Sequence, residues 1–119
     1  MLVDALTGPR QSLGLLRALF ADKERIAIPA LVLYEWLRGP RTSTELVDQE
    51  DLFPSEAAIP FNSEDAALSA RLYRSLRRAR SREIDIAIAA STIRQQAQLW
   101  TLNGADFEDV PGLRLFSPR

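Results

Sequence analysis

Glu83-Ile84-Asp85-Ile86-Ala87-Ile88-Ala89-Ala90 sets an acidic side chain inside an apolar run. Read as a helix from about Glu83 to Gln98, the segment is apolar nearly all round in its first half, which predicts a central, buried helix. Asp85 falls in the first turn, where the helix dipole favours an acid by roughly 0.3–1 kcal/mol when it is exposed. Burial among isoleucines penalises a charge by several kcal/mol, more than the dipole returns. An additional partner is therefore expected beside Asp85, and Ala89 and Thr92 on the same stripe leave room for one.

Two more carboxylates stand in similar surroundings. Glu35 lies within Leu31-Val32-Leu33-Tyr34-Glu35-Trp36-Leu37, and Asp106 follows Leu99-Trp100-Thr101-Leu102, with Asn103 offering another oxygen at the end of the same run. Each has an ordinary reading. Glu35 can face solvent or bond to Arg38, a first-turn acid needs no ligand, and Asn, Gly and Asp are routine loop residues. Together, with no fixed cation beside them in these runs, they suggest a bound metal ion.

The chain has 119 residues, enough for one domain with a substantial core. It has no cysteine and no histidine. That excludes disulfides, thiolate or imidazole ligands and cysteine nucleophiles, and it leaves oxygen donors, which favour Mg²⁺ or Mn²⁺ over Zn²⁺. A net charge of −1 means that any affinity for nucleic acid must come from local clustering. No apolar stretch approaches the ~20 residues that span a bilayer, and Met-Leu-Val-Asp does not resemble a signal peptide. The expected location is cytoplasmic, with no membrane association.

Helices are expected over residues 9–21, from Leu31 to Arg38 with a stop at Gly39-Pro40, from Thr42 to Leu52, and from Ser63 to Ala79 with Asn62 or Ser63 as cap. Short strands are expected at Ile26-Ala27-Ile28, Ala58 to Phe61, Leu99 to Leu102 and Leu113 to Phe116, with Pro111-Gly112 as a turn. This alternation indicates an α/β domain with a largely parallel sheet, in which sites form beyond the carboxyl ends of strands. Arg71, Arg74 and Arg78 share one face of the Ser63–Ala79 helix, and Arg77, Arg80 and Arg82 also lie just before Asp85. A charge run is usually a solvated face. Beside an acidic, metal-holding site, it is also a means of binding phosphate and holding a phosphodiester backbone.

Four stretches, in order, carry a family resemblance: Leu2-Val3-Asp4-Ala5-Leu6, Ile26 through Gly39, Glu83 through Ala90, and Leu99 through Phe107 with Val110-Pro111-Gly112-Leu113. The arrangement resembles a PIN domain, in particular the short VapC-type ribonuclease toxins of bacterial toxin–antitoxin pairs. The resemblance implies a three-layer α/β/α sandwich and a Mg²⁺- or Mn²⁺-dependent endoribonuclease. It makes Glu35, Asp85 and Asp106 catalytic metal ligands, with Asn103 beside them, and implies an RNA substrate, a VapB-type antitoxin and a homodimer. Exposed apolar residues such as Trp36 fit that dimer. Asp4 looks like the acid that opens the first helix.

One departure stands out. The family begins with a central strand ending in Asp-Thr-Ser or Asp-Thr-Asn, whose Asp is a principal metal ligand, and Met1 aligns a few positions past it. The first central strand is therefore expected to be missing or truncated, through a start read too late or a real loss. The alternative function is a catalytically impaired PIN-like module that binds RNA or a protein partner. A third reading is a globular α/β protein whose acids are only structural.

Overall fold

The computed structural model describes residues 2–3 and 26–116. The expected helix over residues 9–21 and Asp4 lie outside the described residues.

A three-stranded parallel sheet is ordered β1 (Leu2–Val3), β2 (Gln98–Trp100), β3 (Arg114–Leu115). Leu2 pairs with Leu99 and Val3 with Trp100, while Gln98 pairs with Arg114 and Leu99 with Leu115. Leu99 and Trp100 are buried, so both edges of this strand need hydrogen-bonding partners. Leu2–Val3 supplies one edge. The family resemblance sets these two residues past the first strand, yet the backbone places them in a strand, because an extended dipeptide satisfies that edge. In place of the expected strands at Ile26–Ile28 and Ala58–Phe61, the described residues show bridge positions at Ala27, Pro29 and Ile59, the last two joined in a parallel bridge. Its bonds run from Ile59 N–H to the Ile28 carbonyl at 2.8 Å and from Ala30 N–H to the Ile59 carbonyl at 2.7 Å.

Four α-helices lie among the described residues. Helix α1 (Ala30–Arg38) starts directly from the bridge, turns Val32 and Trp36 into the core, and stops at Gly39-Pro40. Helix α2 (Ser43–Leu52) opens on a capping box in which the Thr42 hydroxyl accepts from Glu45 N–H and the Glu45 carboxylate accepts from Thr42 N–H. Helix α3 (Ser63–Ser75) opens on another, between Asn62 and Asp65. It ends four residues before the expected Ala79. Leu76 is extended at φ −86°, ψ 141°, and the chain needs the following loop to reverse into α4.

Helix α4 (Glu83–Arg94) is the central helix that its composition requires: Ile86, Ile88, Ala89, Ala90, Ser91 and Thr92 are buried. It packs against α3, α1 and β2. It stops before Gln98 because Gln96 adopts φ +54°, with Ala97 N–H bonded to the Thr92 carbonyl and Gln96 N–H to that of Ile93. Pro111-Gly112 is a turn, and Gly112 is needed there at φ +83°. Among the described residues no helix is long and apolar enough to cross a membrane.

Trp36 corrects one expectation. It is 4% exposed, and the Arg41 guanidinium covers its ring at 3.6 Å while donating from Nε to the Trp36 carbonyl. The exposed apolar side chains of α1 are Tyr34 and Leu37, which with Ala30, Leu33 and Arg38 line a shallow hollow.

Candidate active site

Three elements bring acids within electrostatic reach of one another, Glu35 with Asp85 and Asp85 with Asp106. Helix α1 carries Glu35 one residue before buried Trp36, which holds its carboxyl half-buried with a side-chain exposure of 24%. The first turn of α4 carries Asp85, flanked by buried Ile86. A 3₁₀ turn, Gly104–Phe107, follows β2 and carries Asp106; Phe107 anchors it in the core, and the Asp106 N–H closes it on the Asn103 carbonyl at 2.9 Å. Asn103 and Asp106 are exposed.

Charge links the three in series. Burial pushes the Glu35 carboxyl above the usual carboxylate range and the negative charge of Asp85 adds to this, while Arg38, 3.7 Å away, works against it. Burial likewise raises Asp85, the charge of Asp106 adds to this, and Arg82 opposes it. Asp85 is thus close enough to both other acids for like-charge repulsion, the arrangement a bound cation relieves. The local bond to Arg38 belongs to the ordinary reading of Glu35, and here it coexists with that repulsion.

The donors are hard oxygens, whose chemistry fits Mg²⁺ or Mn²⁺. Their spacing is open: among the described residues no three His, Cys, Asp or Glu side chains converge tightly enough to enclose an ion.

The arginines divide. Arg71 and Arg74 lie on α3, exposed, whereas Arg78 lies in the loop after it, also exposed, so the expected single helical face does not form. Arg82 sits at the start of α4. It pairs with Asp109 at 2.7 Å and its charge acts on Asp85 and Asp106. Sequence reasoning leaves Arg82 inside a general run of arginines and passes over Asp109. The available signal was that Arg82 stands three residues before Asp85, on the same edge of the helix entrance. Nothing local marks Asp109.

Residues 1–113 match the family model of the PIN domain. Among solved structures, the chain resembles VapBC2 from Rickettsia felis, crystallised bound to a DNA fragment from the promoter, with a TM-score of 0.70 and 20% identity over 100% of both chains. It also resembles FitAcB from Neisseria gonorrhoeae, with a TM-score of 0.65 and 16% identity over 99% of this chain and 98% of that one. A third is VapBC-5 of Mycobacterium tuberculosis, a member of the VapBC family of toxin–antitoxin systems, with a TM-score of 0.61 and 21% identity over 79% of this chain and 82% of that one. These identities speak to the fold alone. No curated protein matches significantly.

Proposed function

The chain belongs to the PIN domain family, and we propose that it is a metal-dependent endoribonuclease, the toxin component of a type II toxin–antitoxin pair acting in the cytoplasm. The observation that carries this reading is the series of repelling carboxylates, Glu35 to Asp85 to Asp106, drawn from three distant parts of the chain. An ordinary surface pairs its acids with cations or spreads them apart.

In this reading Glu35, Asp85 and Asp106, with Asn103, hold Mg²⁺ or Mn²⁺. When bound, that ion supplies charge stabilisation at the scissile phosphodiester and lowers the pKa of the attacking water. Asp85 does the central holding, since it alone acts on both neighbours and is fixed by the most buried helix. Arg78 beside the acids, and Arg71 and Arg74 farther along α3, grip flanking phosphates of RNA through charge-assisted hydrogen bonds. The three-layer sandwich of the family would place all of these on one edge. A VapB-type antitoxin, or a second copy of the chain, would cover the hollow beside Tyr34 and Leu37. Asp85→Ala should abolish Mg²⁺-dependent RNA cleavage while the circular dichroism spectrum stays unchanged; undiminished cleavage by that variant overturns the assignment.

A second reading, a catalytically impaired module that binds RNA or a protein partner, draws support from the open spacing of the acids. It predicts wild-type protein that binds RNA equally well with and without Mn²⁺ and does not cleave it.

A further inference from the structure

Arg82 joins three segments at once. Its Nη1 donates to the Arg78 carbonyl and to an Asp109 carboxylate oxygen, both at 2.9 Å. Its Nη2 donates to the other Asp109 oxygen at 2.7 Å and to the Asp106 carbonyl at 2.6 Å. The residue before it, Ser81, has φ +70°, a left-handed conformation that residues with a Cβ rarely adopt, and its N–H is held by the Glu83 carboxylate at 3.2 Å. The backbone bends sharply to deliver this guanidinium.

The pattern of bonds shows what the side chain is for. An arginine meant for substrate phosphate stands out to solvent, as exposed Arg78 and Arg80 do on the same loop. Arg82 uses both terminal nitrogens internally, twice each. Two of the four bonds go to backbone carbonyls, one in the arginine loop and one in the acidic turn, and the bidentate grip on Asp109 fixes the fork in plane. The Asp109 carboxyl in turn is lowered from the usual carboxylate range by its hydrogen bonds from Arg82.

We propose that Arg82 is a positioning residue, a clamp anchored by Asp109 that locks the turn bearing Asp106 against the loop bearing Arg78. This role rests on the nuclease reading, because it sets the separation between the groups that hold the metal and the groups that hold the phosphate. A clamp differs from a mere countercharge in its need for the planar fork. Lysine restores the charge but not the four bonds.

The test compares wild type with Arg82→Lys, Arg82→Ala and Asp109→Asn in two measurements. Amide hydrogen exchange should accelerate at Asp106 and Val110 in all three variants while the buried amides of Ile88 to Thr92 stay protected. Mn²⁺ affinity, from titration of the protein alone, should fall about 10- to 100-fold in both Arg82 variants, the usual range for an outer-shell partner. Unchanged exchange at Asp106 and Val110 overturns the clamp, whatever happens to metal binding. Mn²⁺ affinity that is unchanged in Arg82→Lys and raised in Arg82→Ala reduces the residue to a countercharge, whose loss leaves the acids more negative, and also overturns it. Equal affinity in every protein defeats the positioning role but leaves the nuclease reading intact. Wild type that binds no Mn²⁺ defeats both.

Discussion

The two ends of helix α4 treat charge in opposite ways. At its C-terminal end, Arg94 meets the α3 acids Glu64 and Asp65 at 2.6 and 2.9 Å, so each acid there faces a cation. Asp65 is 2% exposed and also completes the capping box of α3. At the N-terminal end, Asp85 faces other acids, and the nearest arginine spends its strongest bonds on Asp109. The first end is a joint that holds two antiparallel helices in register. The second keeps a surplus of negative charge next to a loop of exposed arginines, and a folding argument alone gives no reason to build that.

The joint is where substitution should cost most stability. Asp65→Ala removes a buried ion-pair partner and half of a capping box, which should destabilise the protein by about 3 kcal/mol, the low end of the range for a broken buried pair because Glu64 still holds Arg94. Denaturant melts measure this, and Mn²⁺ affinity below the transition should be unchanged. A similar loss of metal affinity would show that the two ends are not independent.

How much of this contrast is legible in the sequence follows from what each signal encodes. Asp85 and Glu35 stand out because a charge inside an apolar helical run is a local conflict that a few neighbouring residues reveal. Asn62 and Gly39-Pro40 mark helix ends through side-chain chemistry that acts within a turn. The end of α3 was not legible: Leu76 and Ala79 continue the apolar stripe because both still pack on the core, though the backbone has already left the helix. Periodicity records burial, not conformation. Gln96 closes α4 in a left-handed conformation that glutamine does not announce. Trp36 was expected at the surface, yet five residues on, Arg41 folds back over its ring. The Arg82–Asp109 pair spans 27 positions and is visible only once the fold brings its ends together.

Smaller effects should grade the arginines. Gln in place of Arg78, Arg74 or Arg71 should each weaken RNA binding severalfold and reduce the dependence of log affinity on log salt by about 1 per lost phosphate contact. The loss should be largest at Arg78, whose backbone Arg82 ties to the acidic turn, and smallest at Arg71. Equal losses at all three, measured by fluorescence anisotropy at several salt concentrations, would place the RNA along α3 rather than across the acids.

The most direct measurement is the thermal stability of wild type and Asp85→Asn with and without Mn²⁺. Burial and neighbouring charge raise the folded-state pKa of Asp85. Its contribution to stability is therefore complete below the ordinary carboxylate range and is lost as pH rises through the raised folded value. Without metal at pH 7, Asp85→Asn should melt a few degrees higher than wild type, and the gain should vanish in acid, where both side chains are neutral. Mn²⁺ should raise the melting temperature of wild type and leave the variant unmoved. A variant less stable than wild type at pH 7, or an equal Mn²⁺ response in both proteins, would contradict the claim that these carboxylates are set against one another to hold a metal ion.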